Sequence, residues 1–298
     1  MKKQIISFMV TITLTIGGCL AANSLPQGQS EKMITEGIRF CESIYPYENG
    51  LLIANFGTEQ LNPLNNEGKG YVLNYKDGKT EMLIPADGNL SAPKGMYQKE
   101  DYLFICDVNK LVVYNLKDLK QSPQVVSFPA DDLFLNDLAA VENTLYISVT
   151  NSGRIYTLDI SQPSKLNKNT LKKWLDITGP NGIIMDGNAM YVASYPADGK
   201  TTEKNIIYKI ADLKEPVAEK FFNVPGQYDG IALSADKKTL YISNWTPAGV
   251  TAVDMKTKKP TMLQVGEGLT GPADMTLKNG TLYIPDLPNS RILIYKVK

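Results

Sequence analysis

One short strand pattern recurs six times along this chain, and that periodicity limits the possible folds more than any other feature. "LLIAN", "LFICD", "LYISV", "MYVAS", "LYISN" and "LYIPD" begin at Leu51, Leu103, Leu145, Met190, Leu240 and Leu282, a period of 42 to 52 residues. Each copy is rich in β-branched and aromatic residues and follows a turn signal such as "ENG", "DGN", "ADKKT" or "KNG", as a tight antiparallel hairpin requires. A strand-like stretch precedes each copy, and "GYVLNY", "KLVVYNL", "RIYTLDI", "IIYKI", "VTAVDM" and "RILIYKV" supply a third strand. Fourth strands start at Thr80, Gln124, Lys173, Lys220 and Thr261. The sixth repeat runs to Lys298 with three strands, while "EKMIT" at Glu31 resembles the fourth strands and precedes the first repeat. The expected fold is an all-β, six-bladed β-propeller over residues 30–298, with the N-terminal strand closing the last blade and leaving no open edge. A solenoid would instead need terminal repeats with a polar outer face.

Residues 1–22 stand outside that repeat. Met1 to Lys3 are basic, Ile5 to Ile16 are largely apolar, and Gly17 and Gly18 lead into Cys19, which is the layout of a secretory signal. The apolar run falls short of the roughly 20 residues that span a bilayer. "IGGC" resembles a bacterial lipobox, which makes Cys19 the lipidated first residue of a periplasmic or outer-membrane-anchored lipoprotein; cleavage near Ala21 or Ala22 would instead release a soluble secreted protein. Membrane contact is expected only through that lipid anchor. In an oxidising compartment Cys41 and Cys106 either pair or remain as two buried thiols.

Charge and composition exclude several functions. The 31 basic and 31 acidic residues cancel, and no basic run is interleaved with aromatics, so nucleic acid is not an expected partner. The chain has 0 His, which removes Ser-His-Asp triads and His-based zinc sites. "GEGLTG" near Gly266 lacks a P-loop Lys and a following helix pattern, and reads as a turn between strands.

In a propeller the innermost strands begin at one mouth of a central channel. Counting back nine residues from the strand anchors gives Glu42, Lys94, Asn136, Asn181 and Ala273, and eleven residues gives Asp229 behind the longer "SADKKT" hairpin. Converging polar groups at a crowded axis cost free energy unless partnered, yet four of these six slots carry side-chain oxygen. Glu42, Asn136, Asn181 and Asp229 make a hard oxygen set, suited to Ca²⁺ ahead of Mg²⁺ or Mn²⁺ and unsuited to zinc. The alternative is that the Asn and Asp residues are turn and cap residues recurring at strand starts. Two long loops, Asn55 to Lys69 and Ser194 to Asn205, wall the mouth and carry Phe56 and Tyr195, with Trp245 on a shorter loop. Aromatics there suit stacking on a ring-shaped ligand.

These residues resemble the gluconolactonase/regucalcin-like (senescence marker protein) six-bladed propellers over Glu31 to Lys298. "CESIYPYENGLLIAN" is similar to the first-blade segment with its metal Glu, "LNDL" to the Asn-Asp-Gly motif, "PNGI" to the segment with the middle Asn, and "YDGIAL" to the Pro-Asp-Gly segment. The resemblance implies a divalent metal in the mouth that polarises a lactone or similar ester while an acidic side chain helps water attack. Asp137 is the candidate base, with Asp229 as the alternative. Two departures stand out: Phe134 occupies the place of an expected Arg, and Leu138 that of the motif's Gly. Lys94 is the candidate replacement charge, or else a partner for Glu42 or a solvated lysine. The expected function is a metal-dependent lactonase-like hydrolase acting on a small molecule. A non-catalytic exported propeller that binds a ligand or a protein is the alternative.

Overall fold

The computed structural model describes residues 30–265 and 268–297. The leader and Cys19 lie outside the described residues, as do Gly266 and Glu267 of the "GEGLTG" turn. Six four-stranded antiparallel sheets, each with its strands in chain order except the last, form a six-bladed β-propeller. In the last sheet Ser30–Ile34 pairs with Arg291–Lys296, setting Met33 against Leu293 and Ile34 against Ile292, so the N-terminal strand supplies the outer edge of the final blade.

Both faces of each blade are covered by its neighbours, which explains why the second strands are apolar almost throughout. Gly50–Asn55 is buried at every position, and the six seams between blades carry six separate apolar clusters. The seam that shuts the ring joins Ile34, Ile38 and Ile292 to Ile44, Leu51, Ile53 and Leu73. Cys41 belongs to this seam and Cys106 to the one between the second and third blades. Both are free buried thiols, so of the two sequence readings the structure has the unpaired one. Burial pushes both thiols well above their usual range.

The innermost strands are interrupted at one repeated place. Register shifts fall between Cys41 and Ser43, Pro93 and Met96, Leu135 and Leu138, Pro180 and Ile183, and Tyr228 and Ile231. A β-bulge re-aims the side chain it carries, and the bulged residues include Glu42, Lys94, Asn136, Asn181 and Asp229. The residue after each slot lies where neighbouring inner strands nearly touch. A Cβ on Gly230 would come 2.5 Å from Met275 N and 2.6 Å from Asp274 Cα, and one on Gly95 would come 2.6 Å from Asn136 O.

Gly230→Ala therefore forces backbone against backbone at the axis and should destabilise the domain by about 1–3 kcal/mol, as overpacking does. Urea unfolding monitored by circular dichroism measures it; an unchanged midpoint would mean that the inner strands are free to spread.

Candidate metal centre at the propeller mouth

In four of the six repeats one local device holds the segment that enters the slot. The last residue of the second strand reaches back to the segment that enters the inner strand. Asn55 Oδ1 accepts from Arg39 N at 3.0 Å, and Asp107 accepts from Ser91 N and Ala92 N. Asn244 Oδ1 accepts from Gln227 N at 2.8 Å, and Asp286 Oδ1 accepts from Thr270 N and Gly271 N. In the third repeat Val149 cannot do this, and the entering loop is held instead by buried Asp132, which accepts from Arg154 and Tyr156. One residue earlier, Ser148 accepts from Asp137 N at 2.9 Å and donates to Asn181 O of the next blade at 2.6 Å. Ser243 repeats this, accepting from Gly230 N and donating to Ala273 O. The bulge of one blade is thus tied to the slot of the next.

Glu42, Asn136, Asn181 and Asp229 are all buried. Among the described residues their Glu42 Oε2, Asn136 Oδ1 and Nδ2, Asn181 Oδ1 and Nδ2, and Asp229 Oδ1 atoms have no hydrogen-bond partner. A buried polar atom left unpaired costs about 1–3 kcal/mol, so such a concentration at one axis marks a place built for a ligand that supplies the missing partner. Only Asn74 Oδ1 and Ser152 Oγ share that condition among the described residues. No group of three or more His, Cys, Asp or Glu side chains gathers as a metal cluster among the described residues. The slot set has two carboxylates, and its remaining oxygens come from amides. The donors fit a hard cation: two negative charges, two neutral carbonyl oxygens, and no sulfur or imidazole.

Electrostatics point the same way. Burial, followed by repulsion from Asp137, pushes the Asp229 carboxyl up to about 7. Burial and the charge of Asp229 push Glu42 well above the carboxylate range, against the pull of Lys94. Burial lowers Lys94, with Glu42 opposing. Its Nζ donates to Ala92 O at 2.9 Å and to Pro63 O at 3.1 Å, and it lies 5.0 Å from the Phe134 ring centroid and 5.4 Å from that of Phe56. Lys94 is fully buried, which corrects the solvated reading.

Asp137 is turned toward the seam between the third and fourth blades. Its Oδ1 accepts from Leu138 N and its Oδ2 from Ile183 N, each at 2.7 Å. Burial raises it to about 7 although both hydrogen bonds pull it down. Asp274 escaped the sequence reading. It stands one residue past the Ala273 slot, as Asp137 does past Asn136, and counting that second position along the repeat would have found it. It accepts from Ser43 Oγ at 2.5 Å and is raised well above its usual range by burial first and then by Asp137 and Glu42.

A cleft of about 100 Å³ opens over the slots, lined by Glu42, Lys94, Asp229, Phe56, Phe134, Tyr195 and Trp245, with Leu61, Pro63 and Leu287. All five residues expected to bind substrate meet there, whereas Asn136, Asn181 and Asp137 lie outside its lining. Phe56, Tyr195, Trp245 and Leu287 share one structural position, the first residue after the second strand. Their N–H groups bond to Phe40 O, Gly179 O, Gln227 O and Gly271 O, which fastens the wall to the slots. Phe134 has φ 68°, and Gly179 holds the same place in the fourth repeat with φ 51°. A bulky residue in the left-handed region costs on the order of 1–3 kcal/mol. Wider, shallow grooves of about 430 and 500 Å³ at the seam of the third and fourth blades lack this convergence of charge.

No protein-family model and no curated protein matches the sequence. Solved structures do match in shape. A gluconolactonase from Xanthomonas campestris superposes with TM-score 0.63 at 15% identity, covering 89% of each chain. A protein of unknown function from Bacteroides thetaiotaomicron gives TM-score 0.61 at 12% identity over 88% of this chain and 70% of that one. A catalytically inactive virginiamycin B lyase from Staphylococcus aureus gives 0.58 at 12% identity over 90% and 99%. At such identities the likeness carries the fold alone, which in this chain is a six-bladed propeller.

Proposed function

We propose that the mouth holds a divalent cation, calcium by preference, through Glu42, Asn136, Asn181 and Asp229, and that the protein is a metal-dependent hydrolase of lactones or similar esters. The observation that carries this reading is the coincidence of the unpartnered buried oxygens with those four residues. The shape likeness to a gluconolactonase accords with it. When bound, the cation would polarise an ester carbonyl and acidify water.

The chain's own residues divide the remaining work. Asp229 lines the cleft, and its carboxylate is placed to take a proton from water; the rise to about 7 belongs to the metal-free mouth, and a bound cation would lower it. With two oxygens it can serve the cation with one and water with the other. Asp137 has both oxygens occupied by backbone N–H groups, so we assign it to positioning Leu138 and Ile183 and give the base role to Asp229. Phe56, Phe134, Tyr195 and Trp245 exclude water and orient the ring, while Lys94 adds positive charge at the cleft wall. Export as a lipoprotein anchored at Cys19 is part of the same proposal.

Calcium binding to the folded state alone stabilises it by linkage, about 2.7 kcal/mol at 100 times Kd. Chelation should therefore lower the wild-type melting temperature by several degrees, and Asp229→Ala should erase the difference. A wild type indifferent to chelator would remove the metal from the proposal.

The pH dependence has a definite sign. A carboxyl raised in the folded state stabilises most below its unfolded pKa of roughly 4 and loses that contribution as pH rises through the folded value. Metal-free protein should thus lose stability between pH 4 and about 7, the folded value of Asp229 and Asp137. The gain from calcium should grow over the same window, because the cation displaces protons. Melting curves with calcium and with chelator at each pH test this, and a calcium effect largest at pH 5 would contradict it.

Hydrolysis is tested by screening aliphatic and sugar lactones with calcium, magnesium or manganese. Asp229→Asn should lower kcat by about 10²–10⁴-fold. Asp137→Asn should instead destabilise by about 1–3 kcal/mol, since one backbone N–H loses its acceptor, with a far smaller effect on rate. If the wild type opens no lactone, the non-catalytic binding module takes the place of the hydrolase.

A further inference from the structure

We infer that the cleft selects cyclic esters bearing apolar alkyl or aryl substituents and rejects polyhydroxylated ones. This rests on the proposed lactone-binding role of the mouth and adds the class of ligand.

The first ground is the lining. Seven of the ten residues around the cleft are Phe56, Leu61, Pro63, Phe134, Tyr195, Trp245 and Leu287; the others are Glu42, Lys94 and Asp229. A hydroxyl brought into such a site gives up its bonds to water and must find a partner among the walls. Few partners remain, the third Lys94 ammonium N–H among them. Glu42 and Asp229 belong to the slot set, and Lys94 Nζ already donates to the carbonyls of Pro63 and Ala92. The Tyr195 hydroxyl and the Trp245 indole N–H are the further polar side-chain groups in the lining, against seven largely apolar side chains.

The second ground is independent and lies in the backbone. The residue two places before the slot takes the left-handed conformation in the first, third and fourth repeats, as Phe40, Phe134 and Gly179, with φ 52°, 68° and 51°. Glycine adopts it freely, as Gly179 does. At Phe134 an aromatic ring is kept there despite the conformational cost, and that ring forms part of the cleft wall. Phe40 bears the same torsion outside the cleft lining, so it is the placing of the strained Phe134 ring against the cleft that points to its use.

The roof is held in place. Leu61 and Pro63 stand on the loop between Asn55 and Tyr71, which is pinned by Arg39 to Thr58 O and Glu59 O at 2.8 Å each. Asn65 Nδ2 donates to Ser91 O at 3.0 Å, and Gly70 N donates to Leu90 O at 2.9 Å. An apolar ligand therefore meets a preformed apolar wall.

Trp245 and Trp174 are the chain's two tryptophans, and Trp174 packs at the seam of the third and fourth blades. In a Trp174→Phe background, fluorescence reports on the cleft alone. Binding is measured with 2-pentylcyclohexanone, a ring that water cannot open, and with myo-inositol, a polyhydroxylated ring of the same size. Turnover is compared between δ-decalactone and glucono-δ-lactone. The ketone should bind, and δ-decalactone should be opened, with at least about 100-fold preference. Phe134→Gly, which suits the left-handed backbone, should fold normally and weaken ketone binding about tenfold, the loss expected for one apolar wall. Preference for inositol or gluconolactone, or ketone affinity unchanged in both Phe134→Gly and Tyr195→Ala, would overturn the inference. Ketone binding without hydrolysis of any lactone would sink the hydrolase and leave the apolar cleft standing. Faster opening of gluconolactone would do the reverse.

Discussion

The approach of six inner strands to one axis is the constraint on which the rest of the structure depends. Where Gly95 and Gly230 face the backbone of the next blade, the gap is too small for a methyl group. Five of the six strands accommodate that crowding by bulging at one repeated position, and the bulge re-aims the residues around it. Whatever residue stands at the bulge is buried by its counterparts from the other blades. Slot identity is therefore chemistry: apolar residues there would make a plug, and Glu, Lys, Asn, Asn and Asp make a charged cup.

That cup is electrostatically unfinished. Four buried carboxyl groups, Glu42, Asp137, Asp229 and Asp274, lie near enough to the mouth to repel one another, and Lys94 is the single buried cation among them. Burial dominates every one of their shifts, and mutual repulsion adds to those of Glu42, Asp229 and Asp274. The groups can shed their excess charge by holding protons or by holding a cation. The amide oxygens of Asn136 and Asn181 are unpartnered alongside the carboxyl oxygens of Glu42 and Asp229. A hard cation would satisfy carboxylates and amide carbonyls together, which is the ground for proposing a metal here.

Much of this was legible in the sequence because repetition does what an alignment would do. The hairpin anchors fixed the blades, the spare strand at Glu31 fixed the closure at Met33 and Leu293, and counting back from the anchors reached the slots. The aromatics at Phe56, Tyr195 and Trp245 were found by loop length, although their shared position after the second strand is the stronger signal. What counting could not supply was side-chain direction. Asn136 and Asp137 are neighbours within one bulge, yet Asn136 leaves its amide unpartnered and Asp137 spends its oxygens on Leu138 N and Ile183 N. A strand with strict alternation would have told them apart by parity; a bulge abolishes parity. Asp274 is hidden for a related reason, since the slot residue beside it, Ala273, is apolar and carries no signal.

The two layers of the mouth are built from different parts of the repeat, and so they can change separately. The cup belongs to the inner strands, which are locked by Ser148 and Ser243 to the next blade and by close backbone contact at the axis. The wall belongs to the residues that follow the second strands and to the loops beyond them. It is attached to the cup by single backbone hydrogen bonds such as Tyr195 N to Gly179 O. A wall residue can be exchanged without moving the cup, as the contrast of Thr150, Tyr195 and Trp245 at one structural position illustrates. Phe134 is the exception, because it lies on the strand entry itself and carries the left-handed backbone that feeds Asn136 into its bulge. Its ring therefore couples the two layers: the torsion that presents the aromatic face to the cleft is the one that sets the course of the chain into the slot.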